Sequence, residues 1–465
     1  MLNRNRSILP SYAGELLRTL LILVALLYGS ALVSSEVQIA VGQNHTLVLA
    51  PDGRVWSFGK DNRGQLGDDT TIGNKSSGVL VGSLTDIIAV AAGRAHSLAL
   101  RADGTVWSWG DNTFDQLGHN SGVTFKTTPV QIPGLSTVIS IAAGGDHSLA
   151  VNVYGDVFAW GSDTDGELGN GAPVGKQVTP ANVLAVGGAG NLARAIAVAA
   201  GNTHSMALLA DGTVVAWGRD VEGQLGNGAV VGNQIVPVVV TGLADVTAIA
   251  CGWQHSLARL ADGTVRAWGR NDVGQLGTLA GVNQPFAVNP GSTQVKAVSA
   301  GENHSVFQFV DGSLAACGND FQGAVGNNST PGNVAVPTAV ALGGAATRTF
   351  AAGGNHTVAC LADGSFQAWG SNSDGQLGFG SLIADQQTPV AVLVTWPMVA
   401  ITHVDAANSH SVALKSDGTV WAWGANGSGQ LGINNTNPQY SPVQVLGLGG
   451  AGTLSGIIAI SSGSY

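Results

Sequence analysis

Charge is scarce in this sequence. Lys and Arg number 19 in 465 residues, Asp and Glu 29, and together they make 10% of the chain, against about 25% in an ordinary globular protein. A chain this poor in cations, with a net charge of −10, has no basic field for gripping phosphates, which excludes nucleic-acid binding through a basic patch. Cysteine is almost missing. Cys251, Cys317 and Cys360 are too few for a disulfide framework and form no C-x-x-C pair for zinc. Proline is modest at 15 residues, and the 68 glycines follow no Gly-X-Y period, which excludes collagen. Apolar residues, at 45%, are ample for a core, so the chain is not disordered. Its length alone would suggest two or three domains. The composition instead suggests a turn-rich, all-β globular protein.

The N-terminus reads as a separate object. Arg4 and Arg6 precede an apolar stretch from Leu16 to Val33, and its uninterrupted part, Leu20 to Tyr28, has the length of a signal-peptide core. Gly29, Ser30, Ala31, Ser34 and Ser35 supply the small residues a cleavage site needs. The whole stretch also approaches the ~20 residues that span a bilayer. Residues 1–35 are therefore expected to be a signal peptide or an uncleaved signal anchor. The protein is accordingly expected to be secreted, periplasmic or at the cell surface, touching a membrane only through that anchor.

From residue 36 onward the chain repeats. A G-x-x-H-[ST] block places histidines at His45, His96, His147, His204, His255, His304, His356 and His410, at intervals of 51, 51, 57, 51, 49, 52 and 54 residues. Ala407 replaces the first glycine in the eighth copy. Eight residues after each histidine stands a glycine, preceded by Asp except at Tyr154-Gly155. Trp-Gly follows, with Phe58 and Cys317 replacing the Trp in copies one and six, and a Gly-Gln-Leu-Gly block closes the unit. From the histidine to that last glycine the spacing is invariant, and the following loop absorbs every length difference. Asp-Gly between two alternating runs is a strong hairpin signal. The alternation places bulky residues on one sheet face and small ones on the other, suited to stacking copies on one another. Proline recurs in the fourth segment (Pro129, Pro180, Pro237 and later copies), as in an outer edge strand. Sheets of about four strands every ~50 residues indicate a β-propeller.

The pattern G-x-x-H-S-x-A-L-x-x-D-G-x-V-x-x-W-G-x-N-x-x-G-Q-L-G resembles the repeat of the regulator of chromosome condensation family over about residues 37–465. The resemblance implies an all-β, seven-bladed propeller of four-stranded antiparallel blades, with one blade shared between the chain ends. This sequence has eight full copies, and Ile457 to Tyr465 starts a ninth. The expectation is a seven-bladed ring with overflow repeats. An eight-bladed ring, the start of a second propeller, or a fragment of a longer chain are the other readings.

No chemistry stands out from the repeat. Histidines around a ring lie too far apart to share a metal, so each is expected to bond a backbone group of its own blade. The Asp-Gly residues read as turn chemistry. Asp163-x-Asp165-Gly166 resembles the start of a calcium loop but lacks the closing glutamate. The cysteines replace core residues, and no G-x-S-x-G elbow appears. Catalytic, cofactor and metal residues are therefore expected to be absent. Trp253, in a Gly-x-x-His block, and Phe114 and Phe321, in N-x-x-G loops, are bulky where the repeat has no preference. They are the candidate partner-binding anchors. The expected function is an exported, non-enzymatic scaffold holding an unidentified protein partner. The alternatives are exchange-factor activity on a small Ran-type GTPase, which the family name implies, and a secreted enzyme inhibitor of the β-lactamase-inhibitor type.

Overall fold

The structure is a computed structural model. It describes residues 39–457 apart from residues 42, 44, 51, 71–72, 121, 173–174, 229–231, 280, 330, 382–383, 395–400 and 448–449. The expected leader, residues 1–35, lies outside the described residues.

Thirty-two strands form eight four-stranded antiparallel sheets, each built from consecutive strands. Blade 1 comprises β1 (Ile39–Val41), β2 (His45–Leu49), β3 (Val55–Gly59) and β4 (Lys75–Leu80). Blade 2 comprises β5 (Ile87–Ala92), β6 (His96–Arg101), β7 (Val106–Asp111) and β8 (Phe125–Gln131). Blades 3 to 8 repeat this over residues 138–182, 195–239, 246–288, 295–339, 347–391 and 401–444. The first strands of adjacent blades lie against one another and line the centre, and the fourth strands form the rim.

The expected hairpins form for the expected reason. Asp103 Oδ1 accepts the Thr105 N–H at 3.0 Å and its hydroxyl at 2.6 Å. Gly104 turns the chain at φ +81°, and a Cβ there would lie 2.6 Å from the Thr137 backbone of the next blade. Alternation holds along each strand, but the expected bulky face and small face do not form. Trp109 and Trp107 share one face with Ser97 and Ala99, while Leu98 and Leu100 share the other with Ser108 and Val106, so each face mixes large and small residues. Trp109, Trp160, Trp217, Trp268, Trp369 and Trp423 are fully buried between blades. The indole N–H of Trp160 donates to the Gln116 carbonyl of the preceding blade at 2.9 Å.

The ring has eight blades, which corrects the expectation of seven with overflow. Every full copy of the repeat supplies four strands, and the eighth closes onto the first. Ser77 of β4 pairs with Ile433 of blade 8, Asn434 donates its N–H to the Ser76 carbonyl, and one apolar cluster joins Val412 and Leu431 to Val48 and Phe58. No copy is left over to start another sheet among the described residues. Nor is a blade shared between the chain ends there, since β1 to β4 come from one continuous segment.

The histidines also act differently from the expectation. Each Nε2 reaches across the seam to the Ser or Thr that follows the next blade's histidine. His96 lies 3.0 Å from Ser148 Oγ, His147 3.0 Å from Ser205, and His304 3.1 Å from Thr357 Oγ1. Ser148 donates its only proton to the Gln116 carbonyl at 3.0 Å, so His96 must donate from Nε2 and leave Nδ1 bare. The His96 Nδ1 is buried without a partner. A Cβ on Gly93 would collide with Cε1 of the imidazole, which favours the glycine that heads the block in seven of the eight copies.

Candidate functional site

The two ring faces carry different loops. The N–H of Asp111, just beyond Trp109-Gly110, donates to the Ala95 carbonyl of the G-x-x-H loop at 2.9 Å, and Arg270 does the same to Gln254 at 3.0 Å. The Gly-x-x-His and N-x-x-G loops therefore emerge together. The hairpin turns lie at the other end, beside the entry to the next blade, as in the 3.0 Å bond from Ile87 N–H to the Gly53 carbonyl.

The loop face places the three sequence candidates unequally. Trp253 (37% exposed) and Phe321 (61% exposed) stand on adjacent blades, 5 and 6. Phe114 is half-buried on blade 2, its N–H donating to Gln116 Oε1 at 2.9 Å. It is brought together with neither.

Two further exposed apolar residues of blade 5 escaped the sequence reading. Leu279 is 82% exposed and Val282 63%, both in the loop that follows the closing glycine of blade 5. A local rule explains why. Two residues past that glycine, six copies hold a left-handed residue: Asp69, Gly171, Gly228, Asn328, Gly380 and Asn434. Each donates its N–H to the outer strand of the next blade, as Asp69 does to Thr127 at 3.0 Å and Asn328 to Gln387 at 3.0 Å. At the second seam Asn120 sits at φ +21° and forms no such bond among the described residues. Blade 5 has Leu279 here, and a leucine resists positive φ. Its loop folds back instead, with Gly281 N–H on the Asn271 carbonyl at 2.9 Å and Asn271 Nδ2 on the Leu279 carbonyl at 2.9 Å. The Ala335 carbonyl, equivalent to that of Thr127, thus receives no N–H from blade 5 among the described residues. The signal in the sequence was a leucine where the repeat uses Gly, Asn or Asp.

Polar groups with catalytic potential are occupied elsewhere. Asp163 Oδ1 accepts the Leu168 N–H at 3.1 Å, Asp165 Oδ1 accepts from Asn233 Nδ2 at 2.6 Å, and Glu167 Oε2 accepts the Asp165 N–H at 2.8 Å. This stretch does the turn work that Asn and Gln do in other copies. Burial raises Glu167, and likewise Asp61, Asp220 and Asp405, to about 7. Burial also pushes the Cys251 and Cys317 thiols up, and Cys360 to about 11, which leaves them unreactive at neutral pH. Cys317 fills its Trp position in kind, with Sγ 3.6 Å from the Gln275 carbonyl. Among the described residues no three His, Cys, Asp or Glu side chains group to hold a metal.

The family model described as the RCC1-like domain matches residues 23–341, and the regulator of chromosome condensation repeat matches residues 363–414 and 417–465. The Arabidopsis thaliana ultraviolet-B receptor UVR8 is 29% identical over 89% of this chain and 82% of its own length. The human E3 ubiquitin-protein ligase HERC2 is 30% identical over 81% of this chain, a match that spans 7% of the ligase. Among solved structures, Saccharomyces cerevisiae Prp20p, studied with its binding to Gsp1p and histones, superposes with a TM-score of 0.59. It is 24% identical and covers 83% of this chain and 95% of its own. Human WBSCR16 gives 0.58 at 23% identity, over 75% of this chain and 94% of its own.

Proposed function

The chain belongs to the regulator of chromosome condensation family, and from that premise we propose that it is a non-enzymatic scaffold whose loop face on blades 5 and 6 holds a protein partner. The observation that carries this reading is the seam between those blades. On those blades Trp253, Leu279, Val282 and Phe321 stand exposed, and the Ala335 carbonyl of blade 6 receives no N–H from blade 5 among the described residues. Exposed aromatic and aliphatic side chains are what interface anchors require, and an extended segment could add its own N–H to the strand edge. The absence of a basic field argues against nucleic acid as the partner. Export through residues 1–35 belongs to the same proposal. Cell fractionation tests it, with mature protein beginning at Met1 in the cytosol as the contrary result.

The binding test replaces Trp253, Leu279 and Phe321 together by Ser. Pull-downs from the native envelope or medium should lose the recovered partner at least tenfold, with the circular dichroism spectrum and melting temperature unchanged. Asp311→Ser with Asp363→Ser, on the hairpin face, should capture as the parent does. Equal capture by the triple variant would move the interface off this face.

A further inference from the structure

Two bonds fasten most seams toward the rim. One comes from the indole on the third strand of a blade, whose N–H donates to a carbonyl of the blade before it, as Trp268 does to Gln224 at 2.9 Å and Trp369 to Ala324 at 3.0 Å. The other comes from the loop after the closing glycine, whose N–H reaches the next blade's outer strand, as Gly228 does to Pro285 at 2.6 Å. The seam between blades 8 and 1 has Phe58 for the indole but keeps the loop bond, from Asn434 to Ser76. The seam between blades 2 and 3 shows no loop bond among the described residues but keeps the indole of Trp160 on Gln116. Between blades 5 and 6 neither fastening is found among the described residues. Cys317 holds the indole position, and its Sγ lies 3.6 Å from the Gln275 carbonyl, a thiol being a weak donor. Leu279 holds the loop position, and its loop bonds back to Asn271 of its own blade.

The packing of this seam differs too. A Cβ on Gly226 would strike the Trp268 ring of the next blade at 2.7 Å, but one on Gly277 would meet Pro290 at 2.7 Å and Pro337 at 2.9 Å. Phe307, where the other copies have Val or Ala, shares a sheet face with Cys317 and is fully buried, so it refills part of the room the indole leaves. The refilled core stays divided. Its buried apolar residues form two separate clusters of four, one around Leu257 and Leu276 and one around Phe307 and Cys317. Every other seam lies within a single cluster of at least nine. The fastenings that remain between blades 5 and 6 belong to the first and second strands, toward the centre. His255 Nε2 lies 3.0 Å from Ser305 Oγ, the Val295 N–H donates to Gly263 at 2.8 Å, and Arg259 Nε donates to the Val295 carbonyl at 2.7 Å.

In an array whose units touch only their neighbours, the interface with the smallest joined core and the fewest bonds parts first. We propose that the seam between blades 5 and 6 is a gate that opens from the rim, hinged on the bonds of the first and second strands, while the other seven seams stay shut. On the reading that these two blades hold the partner, the gate regulates that site. Trp253, Leu279 and Val282 belong to one blade and Phe321 to the other, so opening changes their separation.

The chain carries its own reporters of opening. Its three cysteines are buried at three different seams: Cys251 in the core shared by blades 4 and 5, Cys317 at the gate, and Cys360 in the core shared by blades 7 and 8. A buried thiol reacts only when its surroundings open. N-ethylmaleimide added to the free full chain in native buffer, with each cysteine followed by mass spectrometry, should modify Cys317 at least tenfold faster than Cys251 or Cys360. Leu279→Asn, which restores the residue type that makes the loop bond elsewhere, should slow Cys317 at least threefold and leave the other two unchanged. The inference is overturned if Cys317 reacts no faster than Cys251 and Cys360, or if Leu279→Asn leaves its rate as it was. No partner enters this measurement, so its failure leaves the partner reading standing, and failed capture by the loop-face variants leaves the gate standing.

Discussion

His410 Nε2 lies 3.2 Å from Thr46 Oγ1, a residue 364 positions earlier, and this hydrogen bond completes a circle. Seven others of the same kind link His45 to Ser97 and so on round the ring to His356 and Ser411. Every seam is thus crossed by a donor that must stay neutral. Desolvation holds all eight histidines down at about 3 to about 4.

Acid should therefore loosen the ring. An unfolded histidine takes its proton near pH 6.5 and these take theirs far lower, so below 6.5 the unfolded state binds more protons and stability falls. The raised carboxyls Asp61, Asp220, Asp405 and Glu167 oppose this, because they are protonated in the fold below about 7, and burial raises Asp146 and Asp320 in the same direction. The eight histidines outnumber the six raised carboxyls, so the net effect is a loss of stability as pH falls below 6. The urea midpoint should drop sharply between pH 7 and pH 5. A constant midpoint would show that the histidines are not neutral latches.

Glu167 sits where Gln65 and Gln116 stand in other copies and accepts the same backbone N–H. Its carboxyl is raised to about 7 by burial, so its contribution is present below the unfolded value and lost as pH rises through 7. Glu167→Gln should stabilise the fold by ~1–3 kcal/mol at pH 9 and change little at pH 5. Denaturant titrations at the two values check the difference.

Trp217 is buried between blades 3 and 4, with Nε1 2.7 Å from the Glu167 carbonyl. Trp217→Ala should cost roughly 3–5 kcal/mol. Thr127 is on the rim in β8 and partly exposed, and Thr127→Ala should stay within about 0.5 kcal/mol. Equal losses would mean the faces are assigned wrongly.

Leu279→Asn installs a residue that accepts positive φ at the blade 5 seam. The loop should then donate to Ala335 as its counterparts do, holding or raising the melting temperature while weakening partner capture. Stronger capture by this variant would remove the open seam from the interface.

Much of this was legible in the sequence. The invariant spacing gave the strands, the hairpins and the buried Trp positions, because each follows from local turn chemistry and alternation. The blade number followed the eight copies in the chain, whereas the expectation of seven came from family resemblance. The histidine partner was missed because it lies in the next copy, about 50 residues on, although the Ser or Thr after every histidine was in view. Leu279 was missed for a related reason. Its effect comes from a backbone angle that the other copies need, and no chemistry of its own marks it. Phe114 looked equivalent to Phe321 by position, but its side chain is half-buried on blade 2.

Photo-crosslinking from single positions tests the central claim most directly. A benzophenone amino acid at Trp253 or Phe321 should give a covalent adduct with one protein partner in native extract, and the same probe at Asp311 on the hairpin face should give none. Adducts from Asp311 with none from Trp253 or Phe321 would contradict the account.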